Sequence, residues 1–369
     1  MLLKLHVLLL FLLLFFTTST SSTITTTTKS KEKITTSIPI SSGRLLLHSS
    51  TYILQTSLGS PPQPLLLSLS TTSSFSWIPC SSSSSPSFSP SSSTTFLPLL
   101  CNSPSCPLLS TSSCPSPSSP CSSFSQDTLS LSSSLIFPNF TFSCITTSTS
   151  PSQGLLSLSL SPSSFISQTN SFFSSTFSYC LPFFLSTNFS GSLLLGPSSQ
   201  PKHLKTMPLL INPRRPTFFY VNLTGIRLGR KLIPIQSFDP SSGAGTVLDP
   251  GSMYTRLSAL DYAAVRDAFR KYVNGTVTSL GGFDTCYDGP VNPPAVTLVF
   301  DRLQVKLPPE NVMIHSSSGS LSCLAMYGAA ENDTSGLNLI GTMQHQNHRI
   351  LFDVPNRRVG IAREICTVS

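Results

Sequence analysis

The sequence predicts a mostly β protein of two lobes with a cleft between them, and three observations carry that reading. The chain has 369 residues, more than one ordinary compact domain holds and enough for two lobes of about 150 each. Thirty-one prolines and 19 glycines punctuate it, which favours many turns and short strands over long helices. Apolar runs of strand length recur along the chain, whereas one stretch alone shows a clear helical period. Apolar residues make up 39% of the chain, enough for real cores, and charged residues only 10%, against roughly 25% in an average domain.

Residues 1–21 read as a secretory signal. Lys4 gives a short positive start, Leu8 to Phe16 is apolar, and small residues follow from Thr17. The run is short for a membrane span and has no polybasic flank, so a signal fits better than an anchor. Residues 22–44, with Lys29, Lys31 and Lys33, read as a short propeptide or a disordered arm. An N-terminal lobe over 45–200 and a C-terminal lobe over 201–369 follow, because composition shifts near residue 200. From Leu45 to Gln200 the one charged residue is Asp127, and serine fills 31 of the 80 positions from Ser81 to Leu160. Ser81 to Ser123 is expected as a low-complexity, disulfide-pinned loop region.

Strand patterns persist beneath the serines. Thr51 to Leu58 alternates and ends at the turn Gly59-Ser60-Pro61-Pro62, and Leu65 to Leu69 runs into Ser70-Thr71-Thr72-Ser73. Phe218 to Ile226 reads as one strand, closed by a turn at Gly229. Gly245 to Leu248 leads into Asp249-Pro250-Gly251-Ser252, and Ala295 to Phe300 and Ile350 to Phe352 are further strands. Ala259 to Val273 is the clearest helix, among a few short ones expected. Leu260, Ala264, Val265, Ala268, Phe269 and Tyr272 are expected on its buried face, and Asn274-Gly275 stops it.

The ten cysteines, at 80, 101, 106, 114, 121, 144, 180, 286, 323 and 366, are an even set without a repeated C-x-x-C unit. That pattern suits disulfides in an oxidising compartment better than a zinc site. Five Asn-x-Ser/Thr acceptor sequences, at Asn139, Asn188, Asn222, Asn274 and Asn332, also fit secretion to the extracellular space. The net charge of +8 is scattered, and Arg214-Arg215 and Arg357-Arg358 read as solvated turns, so no nucleic acid partner is expected. No other stretch approaches 18 unbroken apolar residues, so no membrane attachment is expected once the signal is removed.

The sharpest chemical motif is Gly245-Thr-Val-Leu-Asp-Pro-Gly-Ser252, in which an aliphatic run delivers Asp249 onto a tight turn. Leu337-Asn-Leu-Ile-Gly341, the tail Met343 to Arg363, Cys323-Leu-Ala-Met326, Phe177-Ser-Tyr-Cys-Leu-Pro182 and Tyr220-Val-Asn-Leu-Thr-Gly225 accompany it. Together these resemble the pepsin-like aspartic protease family (peptidase A1), in its plant nepenthesin and nucellin branch, from about Tyr52 to Cys366. The resemblance implies a pepsin-like fold of two β-barrel-like lobes and a polypeptide substrate or protein partner between them. It implies a monomer with no cofactor and no metal. It also implies Asp249 as a catalytic carboxylate supported by Gly251, Ser252 and Gly341, pairs Cys180–Cys366 and Cys286–Cys323, and the other six cysteines cross-linking the first lobe.

Aspartic proteases need two facing carboxylates that share a proton, since two like charges so close cannot both ionise. By the resemblance, the first-lobe partner lies seven residues before Trp77, and that residue is Ser70. The loop Leu69-Ser-Thr-Thr-Ser73 has no carboxylate and no glycine. The first-lobe crossing strand, expected as apolar-apolar-Gly, reads Leu155-Leu156-Ser157. No tyrosine lies between Tyr52 and Tyr179, and Cys121 to Asp127 leaves no room for the tyrosine-bearing hairpin flap that covers the family's cleft. Asp127 falls in the strand after the missing flap. The expectation is therefore a secreted family protein impaired in peptide hydrolysis. A non-catalytic pseudo-protease with a protein or glycan partner, such as a glycosidase-inhibitor-like role, is the alternative. A serine hydrolase finds no G-x-S-x-G elbow, and His345-x-x-His348 has no third ligand at a matching spacing and reads as structural.

Overall fold

The computed structural model describes residues 37–81, 87–106, 116–146, 153–202 and 204–366, the side chain of Leu45 excepted. The signal expected over 1–21, the arm up to residue 36 and Cys114 lie outside them. In the first half the strands are β1 (Ser37–Ser42), β2 (Tyr52–Leu58), β3 (Gln63–Ser70), β4 (Trp77–Pro79), β5 (Leu97–Leu100), β6 (Pro120–Ser132), β7 (Leu135–Ile145), β8 (Gly154–Ser157), β9 (Thr176–Cys180) and β10 (Gly191–Leu195). Six of them close a ring, β2-β3-β8-β4-β7-β6 and back to β2 through Ser57↔Ser130 and Leu58↔Leu129. Closure leaves these strands no free edge, and their inward side chains, among them Leu54, Leu67, Leu129 and Phe142, are buried.

The second half adds β11 (Thr206–Pro208), β12 (Leu210–Asn212), β13 (Arg215–Val221), β14 (Leu223–Leu228), β15 (Lys231–Pro234), β16 (Gly245–Leu248), β17 (Thr255–Leu257), β18 (Thr278–Leu280), β19 (Phe283–Asp288), β20 (Val296–Phe300) and β21 (Leu303–Leu307). It continues with β22 (Met313–His315), β23 (Leu321–Leu324), β24 (Met326–Gly328), β25 (Leu337–Ile340), β26 (His348–Asp353) and β27 (Arg358–Arg363). One sheet runs β12-β13-β16-β25-β17-β24, and two four-stranded sheets, β15-β14-β20-β21 and β18-β19-β23-β22, complete this half.

The two halves repeat one motif. In the first, β3 runs parallel to β8, β4 antiparallel to β8 and parallel to β7. In the second, β16 runs parallel to β25, β17 antiparallel to β25 and parallel to β24. The register is the same in both. Leu69 pairs with Leu156 and Ser70 with Ser157; Leu248 pairs with Ile340, so Asp249 comes level with Gly341. The fold is thus the two-lobed pepsin-like one.

Three sequence expectations change. Residues 37–42, grouped above with the arm, are β1, which pairs with β2 and β10 and buries Ile38 and Ile40. The division at residue 200 is also too simple. Strands β11, β27 and β26 from the second half continue through β9, β10 and β1 of the first in one sheet, where Phe352 stacks on Phe177 at 4.9 Å and meets Phe219 of β13, tilted, at 4.7 Å. Phe218 to Ile226 is two strands in two sheets, β13 and β14. Asn222 breaks it by turning its side chain onto Asp301 and the Phe238 N–H.

The helix spans Ala259–Val273 as expected, capped by the Ser258 hydroxyl and by Asn274 in the left-handed region. Its buried face carries Asp261, Tyr262, Val265, Ala268 and Phe269, while Leu260 is 84% exposed and Tyr272 57%. Asp261 is buried because its carboxylate receives the Gln236 N–H and the Asn338 amide. In the serine-rich region, β5 and the start of β6 are ordered strands and Phe88 is fully buried, so loops describe only part of it.

Candidate functional site

Strand β16 is buried at all four residues and hands over to Asp249, itself 2% exposed. Gly251 then lets the turn press against the other half: a Cβ there would lie 3.0 Å from the Leu69 carbonyl oxygen and 3.0 Å from Ser70 Cβ. Behind the turn, a Cβ on Gly341 would lie 2.6 Å from the Tyr254 carbonyl. Both glycines are needed because backbone passes where a side chain would be. The equivalent of Gly341 is Ser157, whose hydroxyl donates to the Ser73 carbonyl at 2.6 Å and whose N–H donates to the Ser76 hydroxyl.

Ser70 and Asp249 face one another. The Ser70 hydroxyl donates to Asp249 Oδ1 at 3.0 Å, and the Thr71 N–H donates to the same oxygen at 2.8 Å. Oδ2 accepts from the hydroxyls of Thr72 at 3.2 Å and Ser252 at 3.1 Å. Thr71 Oγ1 also lies 3.2 Å from Oδ1, but its single proton goes to the Leu248 carbonyl at 2.6 Å. Four donors therefore surround one carboxylate, three of them from the first half. Ser70 Oγ also accepts the N–H groups of Thr72 and Ser73, so one hydroxyl oxygen holds the loop.

One departure went unremarked in the sequence reading, although the motif displays it. Thr71 reaches across to Leu248, and symmetry asks the residue after Asp249 to reach back to Leu69. That residue is Pro250, which has neither an N–H nor a hydroxyl. The clamp between the loops is one-way. Pro250 stands in the motif itself, and its missing N–H and hydroxyl were the available signal.

The remaining candidates lie elsewhere. Asp127 is 1% exposed within β6; Oδ1 takes the Thr95 hydroxyl at 2.5 Å and the Thr128 N–H at 2.7 Å, and Oδ2 has no partner. Strand β6 runs unbroken through Cys121 and Asp127, so no hairpin projects there. His345 is buried against Tyr179, Nδ1 lying 3.3 Å from the phenol oxygen, and its Nε2 is unpartnered. Burial, with a smaller push from His348, lowers its pKa to about 3. The His348 Nδ1–H donates to the Gln346 carbonyl at 2.9 Å. Among the described residues no group of three potential ligands is placed to hold a metal.

Disulfides join Cys80–Cys144, Cys106–Cys121, Cys180–Cys366 and Cys286–Cys323, and Cys101 is also disulfide-bonded. Asn139, Asn188, Asn274 and Asn332 are exposed. Asn222 is half-buried: its amide Nδ2 donates to Asp301 and its Oδ1 accepts the Phe238 N–H, so its side chain also serves the fold. No helix among the described residues is long and apolar enough to cross a membrane.

Comparison with known proteins covers both halves. Residues 52–197 match a family model described as xylanase inhibitor N-terminal, and residues 218–363 one described as xylanase inhibitor C-terminal. Aspartyl protease AED3 of Arabidopsis thaliana is 45% identical over 362 residues, covering 90% of this chain and 80% of its own. Aspartyl protease 25 of Oryza sativa subsp. japonica is 39% identical over 376 residues, covering 90% and 85%. Aspartic proteinase nepenthesin-1 of Nepenthes gracilis is 31% identical over 357 residues, covering 86% and 78%. Among solved structures, edgp superposes with a TM-score of 0.71 at 20% identity, over 89% of this chain and 95% of that one. Conglutin gamma, a basic 7S globulin from lupine seeds, does so with 0.69 at 21%, over 88% and 94%.

Proposed function

The chain belongs to the plant branch of the pepsin-like aspartic protease family, and from that premise we propose that it is a secreted member whose peptide-bond hydrolysis is impaired. The observation that carries this reading is the 3.0 Å hydrogen bond from Ser70 to Asp249, made where the family sets carboxylate against carboxylate. Hydrolysis by the family route needs one group to take a proton from water while its partner gives one to the substrate carbonyl. One carboxyl group holds a proton or takes one, not both at once, and a serine hydroxyl does not ionise in the useful range. The first half supplies no substitute, since Asp127 is sequestered in β6. Loss of one member of a unit that acts together removes on the order of 10⁴-fold of the rate or more.

The test is cleavage of an unfolded protein at pH 3 to 5 by the chain without residues 1–21, with pepstatin as control and Ser70→Asp beside it. The expected result is no pepstatin-sensitive cleavage by the natural chain and a measurable gain in Ser70→Asp. The gain is expected to be larger in Ser70→Asp with Pro250→Thr, which returns a hydroxyl to the clamp. Pepstatin-sensitive cleavage by the natural chain sinks the proposal.

A second reading, a non-catalytic binding protein, is favoured by where the losses fall. The ring of strands, the buried core and the inter-half sheet are intact, while the dyad carboxylate and the second arm of the clamp are replaced and the described residues contain no covering hairpin. The description of the matched family models points to a glycosidase as the partner class. Release of reducing sugar from xylan by a xylanase, with and without the purified protein, measures it. Unchanged release at a hundredfold excess of the protein, roughly, discards that class.

A further inference from the structure

Beside the Ser70 loop lies a pocket of about 860 Å³, inside the roughly 300–1,000 Å³ range of sites that hold a small ligand. Its aromatic wall is Phe75, 37% exposed, set edge-on against Phe124 at 5.1 Å. Gln168 and Gln126 also line the pocket, each fixed by hydrogen bonds. Gln168 accepts the Thr141 N–H and donates to the Thr141 and Ser163 carbonyls, and Gln126 donates to the Thr141 hydroxyl. Ser161, Ser163 and Thr217 add hydroxyls beside Pro162 and the disulfide-bonded Cys106, and no ionisable side chain is among the described lining residues. A flat apolar face among neutral hydroxyls and amides suits a neutral sugar, which offers C–H faces and hydroxyls together. A charged ligand would find no counter-charge.

Asn139 stands on this pocket's rim. Phe137 pairs with Leu129 and Phe140 with Asp127, so β7 spends three residues where β6 spends two. The extra residue is a bulge with Asn139 at φ 57°, which re-aims a side chain out of the strand. Phe137 and Phe140 stay buried while Asn139 is exposed, and its side chain makes no hydrogen bond within the protein. Asn139-Phe140-Thr141 is an acceptor sequence for N-linked sugar.

We propose that the pocket is the berth of the sugar chain carried by Asn139, with its first residue laid on Phe75; this rests on the secreted reading above. The attachment exchanges an Nδ2–H bond for an Nδ2–C1 bond. The lipid-pyrophosphate carrier of the donor oligosaccharide leaves with the C1 bonding pair, and the proton passes to solvent. Once tethered, the sugar meets the pocket at high effective concentration, so weak stacking suffices.

The full chain secreted from plant cells tests this by site-resolved mass spectrometry during native endoglycosidase digestion. Asn139 is expected to be occupied and to lose its sugar roughly tenfold more slowly than Asn274 and Asn332, a difference of about 1.4 kcal/mol. Phe75→Ala is expected to bring Asn139 within about threefold of them. Phe75→Leu keeps the packing on Phe124 without the flat ring, and serves if the alanine variant folds poorly. A bare Asn139 beside occupied Asn188, Asn274 and Asn332 overturns the berth alone, as does equal release or slow release unchanged by both Phe75 variants. Bare asparagines at every site likewise overturn the berth, whereas a chain retained inside the cells and absent from the medium overturns the secreted reading as well.

Discussion

Ser70 holds two N–H groups of its own loop and still gives its proton to Asp249, so the loop keeps its shape without the carboxylate. His345, equally buried, carries a different consequence. Its ring is held neutral in the fold with a pKa near 3, whereas a free histidine titrates near 6.5. Between those values the unfolded chain binds a proton that the native state refuses, so stability rises with pH across that window and is lost as pH falls. His348 is lowered as well, chiefly by burial, and adds with the same sign. We expect the chain to lose on the order of a few kcal/mol between pH 6.5 and 3.5, read as the fall in Tm. His345→Gln, which keeps a partner for Tyr179, is expected to flatten that fall; an unchanged slope refutes the assignment. The sequence made Ser70 legible because a fixed spacing from Trp77 locates it, and Asp249 because it follows an aliphatic run. The donor set on Asp249 was not legible, since three of its four donors come from 177 or more residues away along the chain, and only the tertiary fold joins them.

Among elements, the paired crossing strands show which departures the fold tolerates. Gly341 has the Tyr254 carbonyl at 2.6 Å from any added Cβ, while Ser157 uses its side chain productively. Gly341→Ala is therefore expected to cost about 1–3 kcal/mol by overpacking. Ser157→Ala loses the short bond to the Ser73 carbonyl, about 1 kcal/mol, together with the longer contacts to Ser159. Denaturant midpoints compare them, and equal midpoints would show that the two positions are not built differently. Strands and the helix were legible from period and stop signals. The break at Asn222 was not, because an apolar alternation runs straight through it and the interruption comes from a partner at Asp301. The helix face was misread at Leu260 because an exposed leucine leaves the pattern looking apolar, whereas Asp261 is buried by partners the local pattern does not contain.

At the scale of the molecule, composition marked two lobes with a boundary near residue 200, and the chain laces them across it. Strand β26 lies on β9, with Arg349 opposite Cys180 and Phe352 opposite Phe177, and Cys180–Cys366 spans 186 residues. Opening that loop through Cys366→Ser is expected to cost about 2–5 kcal/mol. Calorimetry of the variant measures it, and a change under ~1 kcal/mol would mean that strand pairing alone secures the tail. The same lacing sets a timetable for biosynthesis. A ribosome delivers β9 some 170 residues ahead of β26, so the first barrel is complete while one edge of its neighbouring sheet still waits, flanked by Phe177 and Tyr179. Unpaired edges of that kind recruit chaperones or other chains. The last strands to be translated are the ones that end that exposure.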